Sequence, residues 1–364
     1  MNTSHLVYKQ AVAALKRDNY SKRMSFYIRA RLATVHLLSL CLIGFLTSEC
    51  NAQADRLNQV TKKTMENKIQ NPLLCDIETG MCEMPDSATT VAVQTVSPVK
   101  IIYFTDPICS SCWGIEPQLR KLKLEYGKSI ELEYRMGGLL PDWSYNSGGI
   151  SKPSDVAHHW DEVSLHYDMP IDGDVWLEDP LDSSYPASIA FKAAQLQDPH
   201  KAVLFLREMR EMVFLHKKNI AKWEHLATAA QTVGLDLEQL KTDYQGKAKT
   251  LFQADLALGK QLGVRGFPTM FFVDSQGQPE KVYGSKPYIA YEDALQKQLP
   301  SVKKTTIDPN WESLFSVYHT LTSREFAELS GRKRQEVDSY LQHLTDEGKL
   351  RKVTTKNGVL WILQ

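Results

Sequence analysis

Two cysteines two residues apart, Cys109-Ser110-Ser111-Cys112, sit where an apolar strand gives way to a helix. Val99 to Thr105 is a β-branched and aromatic run, which predicts a buried strand. Asp106-Pro107 ends it. Leu119, Leu122 and Tyr126 recur at helical spacing, which predicts a helix from Cys112 to Tyr126. Ile130 to Tyr134 alternates and predicts a second strand. The result is a βαβ unit with a cysteine pair at its first turn. That placement serves thiol chemistry. The thiolate is the nucleophile in disulfide exchange. A helix N-terminus offers unpaired N–H groups and a partial positive charge that favour it. Cys109, at the helix start, is expected to attack, and Cys112, one turn in, to resolve the mixed disulfide. A zinc knuckle would need a second pair at suitable spacing, and none lies close by.

From about Ser154 to Gly246 the pattern is helical, with segments 187–197, 200–216 and 220–232 rich in Ala, Leu, Met and Lys. Lys247 to Leu262 predicts a further helix, Phe267 to Val273 a strand, Lys281 to Tyr283 a short strand and Tyr288 to Leu299 a helix. The order is βαβ, a helical insertion, then αββα. Gly266-Phe267-Pro268-Thr269 places a proline at a strand start, where it is tolerated and is a candidate cis bond.

These residues resemble the DsbA-like branch of the thioredoxin superfamily. The resemblance spans about residues 98–302. It rests on Asp106-Pro107-Ile108-Cys109-Ser110-Ser111-Cys112-Trp113-Gly114, on Gly137-Gly138 after the second strand, and on Gly266-Phe267-Pro268-Thr269. It is closest to the subgroup of dithiol–disulfide isomerases with a long helical insertion (about 154–246). That subgroup also includes the adaptor that presents a redox stress regulator to the ClpXP protease. The resemblance implies an α/β thioredoxin-like fold, Cys109 as nucleophile, Cys112 as resolving thiol, and Pro268 as a cis-proline that faces the pair and holds an extended substrate. Phe267, Pro268 and Trp113 are the expected substrate-binding residues. Ser110-Ser111 lacks the histidine of the strongly oxidising periplasmic enzymes, which suggests a less extreme oxidant. Glutathione-dependent isomerases of the same branch usually carry serine at the attacking position, where this chain has Cys109. No cofactor and no metal is expected.

Composition narrows the class further. Lys plus Arg and Asp plus Glu each total 43 in 364 residues, so the formal net charge is zero. This argues against a strongly basic nucleic-acid binder. Hydrophobic residues at 43% and charged residues at 24% are ordinary for a folded protein and exclude wholesale disorder. Residues 32–48 carry no formal charge, follow Lys22, Arg23, Arg29 and Arg31, and precede Ala52-Gln53-Ala54, the pattern of an export signal. Within segment 24–54 this points to a periplasmic or membrane-attached protein. Translation from Met65 would instead make residues 1–64 non-native and the protein cytoplasmic. Residues 65–97 read as a polar linker. Within it, Cys75 and Cys82 flank a Thr79-Gly80 turn and form a possible second pair, structural or redox-linked, or two unpaired thiols; metal binding is the least favoured alternative, because no nearby His completes a zinc site.

Three histidines, His158, His159 and His166, cluster near Trp160. A solvated or packed helix face is the expected role, with His159 and His166 sharing a face; the alternative is that the cluster lines a substrate groove near the cysteines. Met136 to Trp143 is a Gly-rich loop after a strand, but it opens no helix, so it does not fit a phosphate site. Tyr145, Trp160, Tyr167 and Trp176 add an aromatic surplus, read as core ahead of a peptide groove.

Residues 308–364 follow a Lys303-Lys304 linker and resemble a small winged-helix-like domain. Helices are expected over Trp311–Leu321, Arg324–Leu329 and Lys333–Glu347, then a hairpin, Leu350–Thr354 and Val359–Leu363, around an Asn357-Gly358 turn. Arg332-Lys333-Arg334 could meet DNA phosphates, but eight acidic residues balance eight basic ones here, so a protein-interaction or packing role is favoured. Two functions remain open: a thiol–disulfide oxidoreductase or isomerase acting on protein or peptide thiols with a redox partner protein, and a redox-sensing protein-binding adaptor on the same fold.

Overall fold

The computed structural model describes residues 98–144, 150–274 and 276–364. The signal-like segment 24–54, the pair Cys75 and Cys82, and Tyr145 lie outside the described residues. Among the described residues, no helix is long and apolar enough to cross a membrane.

The chain opens with β1 (Val99–Thr105), α1 (Ser110–Gly114), α2 (Glu116–Tyr126) and β2 (Ile130–Met136). β1 and β2 pair in parallel from Val99↔Ile130 to Thr105↔Met136. Helices α3 (Pro153–Tyr167), α4 (Val175–Glu178), α5 (Tyr185–Gln197), α6 (Pro199–Leu215), α7 (Trp223–Thr232), α8 (Leu237–Gln245) and α9 (Lys247–Gln261) follow. Then come β3 (Thr269–Val273), β4 (Pro279–Tyr283) and α10 (Tyr288–Gln298). The sheet order is β2-β1-β3-β4, with β3 antiparallel to β1 and β4 antiparallel to β3. β1 is central, and Ile101, Tyr103 and Phe104 are fully buried, as its continuous apolar run requires.

One helix expected from the periodicity is in fact two. Cys112 to Tyr126 breaks at Ile115, whose backbone (φ −94°, ψ 2°) leaves the helical region between α1 and α2. Pro117 is the cause. It has no N–H to give the carbonyl one turn back, and it is tolerated only in the first turn of a new helix.

Asp255 fixes the insertion to the sheet. It is fully buried on α9. It accepts from Arg135 Nη1 (2.8 Å), from the backbone N–H of Met136 (3.0 Å) and from Lys192 Nζ on α5 (2.9 Å). A buried carboxylate is tolerated because cations and an N–H surround it.

The last segment comprises α11 (Trp311–Val317), β5 (Thr320–Thr322), α12 (Ser323–Ser330), α13 (Arg334–Asp346), β6 (Leu350–Thr355) and β7 (Gly358–Leu363). The second sheet has the order β5-β7-β6. The expected helix Trp311–Leu321 stops at Val317. Tyr318 turns extended, and Thr320 to Thr322 pair with β7, setting Leu321 opposite Trp361. β-Branched threonines suit that pleated edge better than a helix end. Thr322 then caps α12 in a capping box with Glu325. The segment has its own apolar cluster around Leu321, Phe326, Val337, Leu341 and Trp361. Leu360 belongs instead to the large core of the thioredoxin-like part.

Candidate active site

Cys109 is the N-cap of α1. Its Sγ accepts the backbone N–H of Cys112 at 3.1 Å. The two cysteines form a disulfide with Cα atoms 5.1 Å apart. Cys109 is 4% exposed and Cys112 is fully buried. Only Cys109 of the two lines the cavity in front of the pair. The N–H that points at Cys109 Sγ is placed to hold the negative charge that cleavage of the disulfide would leave there.

That cavity has a volume of about 350 Å³. Its walls come from four places. The cysteine loop gives Ile108, Ser110 and Ser111; the segment after β2 gives Leu139, Leu140 and Trp143; α3 and α4 give Val156, Trp160 and Trp176; and the loop before β3 gives Arg265 and Phe267. No carboxylate is among the described lining residues; Arg265 and His159 are the polar groups with a positive or titratable character. Trp160 packs edge-on against Trp176 at 5.2 Å, and so does Trp143 at 5.9 Å. Thus Trp160 and Trp176 are core residues that also face the cavity. His159 lines it as well. His158 is exposed and pairs with Glu162 at 3.2 Å, while His166 is exposed and stacks edge-on with Tyr167.

The Phe267–Pro268 peptide bond is cis. Phe267 reaches the cavity, whereas Pro268 is buried and its carbonyl accepts the Gly284 N–H at 2.8 Å. Phe267 is pressed against Gly137: a Cβ there would come within 1.9 Å of the ring. Gly137 is thus required by close packing against the proline loop, whereas Gly138 is required by its positive φ (67°) and by Leu256 and Tyr185, each 2.9 Å from where a Cβ would lie.

Trp113 is a correction. It was expected on the substrate-binding surface, but it is completely buried. Its indole N–H donates to the Pro170 carbonyl at 3.0 Å, its ring stacks on Phe214 at 5.5 Å, and the Arg207 guanidinium lies 4.3 Å over it. With its polar atom satisfied and its ring covered, no face remains for a substrate.

Asp106, which ends β1 and opens the cysteine motif, organises the site. It is fully buried. Its Oδ1 accepts from the Ile108 N–H (3.1 Å), and its Oδ2 from the Leu139 N–H (2.8 Å) and the Ser184 hydroxyl (2.9 Å). One carboxylate therefore ties the cysteine loop, the Gly-rich loop and the residue preceding α5. Burial pushes its pKa up to about 6, against the three donors and the Arg210 charge, which pull it down. The Asp-x-N–H contact is an Asx-turn, a signal that Asp106-Pro107-Ile108 carries in sequence.

Behind the site lies a buried ionic network. Arg210 is 1% exposed and donates to Glu116 (2.5 Å) and Thr105 Oγ1 (2.6 Å). Arg207 donates to Glu211 (2.5 Å) and, with two nitrogens, to Glu325 on α12 (2.7 and 3.1 Å). Arg120 adds a contact to Glu325 at 3.3 Å. Burial raises the Glu325 pKa, but the Arg120 and Arg207 charges and the Thr322 N–H overcome this and hold it below its ordinary value. In sequence, Arg207 and Arg210 are two of several charged residues on this helix, beside Lys201, Glu208 and Glu211, and nothing local marks them for burial.

Three comparisons bear on the chain as a whole. The family model described as thioredoxin matches residues 103–293. The ClpXP adapter protein SpxH of Halalkalibacterium halodurans is 35% identical over 299 residues, 80% of this chain and 97% of that protein. The ClpXP adapter protein SpxH of Bacillus subtilis is 33% identical over 269 residues, 72% of this chain and 89% of that protein. Among solved structures, the cytosolic disulfide reductase DsbM from Pseudomonas aeruginosa matches with a TM-score of 0.45 and 20% identity, covering 54% of this chain and 98% of that one. With its cysteine pair, its parallel–antiparallel four-stranded sheet and its long helical insertion, the chain belongs to the DsbA-like thioredoxin family and is a relative of the ClpXP adapter proteins SpxH.

Proposed function

We propose that the protein exchanges disulfides with protein or peptide thiols through Cys109 and Cys112. The observation that carries this is the asymmetry of the pair: Cys109 Sγ borders the cavity and receives an N–H, while Cys112 lies behind it. In the oxidised form, a substrate thiolate attacks Cys109 Sγ. The substrate–Cys109 disulfide forms, the Cys109–Cys112 bond breaks, and Cys112 leaves as thiolate. A second substrate thiolate then attacks the substrate sulfur, giving a substrate disulfide and a reduced protein, and the reverse sequence reduces a substrate. The mostly apolar cavity wall would accept an apolar side chain beside the reacting cysteine, with Arg265 and His159 at its polar part. Redox titration with glutathione tests the reading. A reversible two-electron couple, lost in Cys109→Ala, is expected; no couple, or full exchange activity in Cys109→Ala, defeats it.

The second reading is that the same fold is a protein-binding adaptor, serving a ClpXP-type protease, with the cysteines reporting redox state. Its support is the similarity to SpxH proteins, which extends over more of the chain than residues 103–293. The winged-helix-like reading of residues 308–364 belongs here too: α11, α12, α13 and the β6–β7 hairpin would present a protein-binding surface. Arg334, at the start of α13, is engaged by Asp168 (2.7 Å) and Asp338 (3.0 Å), which supports a packing role over DNA contact. Pull-down from native cells with both cysteines changed to Ala should still recover a specific partner and the protease; loss of every partner in that variant speaks against it.

A further inference from the structure

The loop 168–174 lies between the C-terminal segment and the redox helix, and five of its residues meet that segment. Arg334 pairs with Asp168, and the Thr322 hydroxyl donates to the Met169 sulfur at 3.2 Å. Gly358 lies so close to Pro170 that a Cβ would come within 2.9 Å of the proline ring. Asn357 Nδ2 donates to the Ile171 carbonyl at 2.7 Å and to Asp161 Oδ1 at 2.8 Å. Lys356 Nζ reaches Asp161 (2.6 Å) and Asp174 (2.8 Å). On its other side, the same loop supplies the Pro170 carbonyl that accepts the Trp113 indole N–H. Trp113 directly follows Cys112, and its backbone N–H closes the first turn of α1 on the Cys109 carbonyl at 3.0 Å.

We propose that Asn357, in the turn between β6 and β7, is a positioning residue for the redox pair, acting through Ile171, Pro170 and Trp113. It is about 250 positions away in sequence but only one residue removed, at Ile171, from the carbonyl that holds Trp113. Its amide joins two supports at once, the loop under Trp113 and, through Asp161, the helix that carries His159 and Trp160 of the cavity wall. When Asn357 lets go, the loop and Trp113 shift, the first turn of α1 loosens, and Cys109 Sγ loses its fixed N–H donor. That donor stabilises the thiolate of the reduced form, so its loss favours the disulfide. The C-terminal hairpin thereby sets how readily the pair is oxidised. This rests on the disulfide-exchange reading above.

The test uses the full chain and glutathione as probe: two glutathione thiols become one glutathione disulfide as Cys109–Cys112 is reduced to two thiols. Asn357→Ala and the isosteric Asn357→Asp, which removes both donors and adds a carboxylate beside Asp161, are compared with Lys352→Ala. Lys352 lies on β6 and pairs with Gln342 inside the C-terminal segment, away from the loop. Folding is checked by circular dichroism. Both Asn357 variants should move the exchange equilibrium toward the disulfide by about three- to tenfold, the range one net hydrogen bond carries. They should also move the pH profile of Cys109 alkylation toward alkaline pH, and Lys352→Ala should leave both unchanged. Wild-type values in a folded Asn357→Asp, or an equal shift in Lys352→Ala, overturn the proposal. Absence of any exchange equilibrium in the wild type instead defeats the disulfide-exchange reading itself.

Discussion

Gly137 and Phe267 meet face to face, with no room between them for a single methyl group: a Cβ on Gly137 would come within 1.9 Å of the phenyl ring. Gly137 follows β2 and Phe267 precedes β3, so the contact locks two loops that both border the cavity. Gly137→Ala should therefore displace the ring that lines the cavity beside Cys109. The expected cost is about 1–3 kcal/mol of stability from overpacking. Urea unfolding measures it, and peptide-thiol exchange should slow even under conditions where the variant stays folded. Unchanged stability would show that the ring moves freely.

Asp106 should make the fold sensitive to pH in a narrow window. Its pKa is raised from 3.8 to about 6 in the folded protein. The folded state thus holds the proton more tightly than the unfolded chain. The resulting stabilisation is fully present below pH 3.8 and is lost as pH rises through about 6. Asp106→Asn abolishes this slope, which chemical denaturation at a series of pH values would reveal. The asparagine cannot accept all three donors, so it should also slow Cys109 alkylation by loosening the loop. A slope identical to wild type would mean that another group is responsible.

Glu325 predicts the opposite pH trend. Arg120 and Arg207 hold its pKa below the ordinary 4.5 despite burial. Its contribution is present above pH 4.5 and is lost as pH falls through the lower folded value. Glu325→Ala leaves the buried Arg207 without its bidentate partner and should cost about 3–5 kcal/mol. Limited proteolysis should then release the C-terminal segment more readily, and in the wild type acid should do the same. Equal protease resistance in the variant would remove the ion network from the account of docking.

Cys112→Ala should trap substrates. Without the buried thiol, the mixed disulfide at Cys109 has no internal resolving group, so a covalent adduct should accumulate that reducing agent releases. Mass spectrometry of the adduct identifies both the site and the partner. If Cys109→Ala with Cys112 intact gives the adduct instead, the roles of the two thiols are reversed.

Much of this architecture is legible in the residues themselves. The alternation of β2, the apolar run of β1 and the Asn-Gly turn of the β6–β7 hairpin are local signals, and the cysteine pair lies where strand and helix meet. What escapes is set by partners far along the chain. Trp113 is buried because Pro170, 57 residues on, accepts its N–H and because Arg207 and Phe214 cover its ring. Arg207 itself is tolerated inside because Glu325, 118 residues on, meets it. The break at Pro117 was readable from covalent geometry alone, whereas the end of α11 at Val317 depends on β7 being there to pair with Thr320–Thr322. Asp106 stands between these cases: its Asx-turn is local, but its grip on Leu139 and Ser184 is not.

The grouping of indoles around the disulfide has an optical consequence. Trp143, Trp160 and Trp176 line the cavity that Cys109 borders, and Trp113 directly follows Cys112, so four of the seven tryptophans lie on that cavity or next to the pair. Disulfides quench excited indoles at short range, and thiols do so less. The protein therefore carries its own emission gauge, in which the brightness of native fluorescence follows the oxidation state of the pair without any added dye.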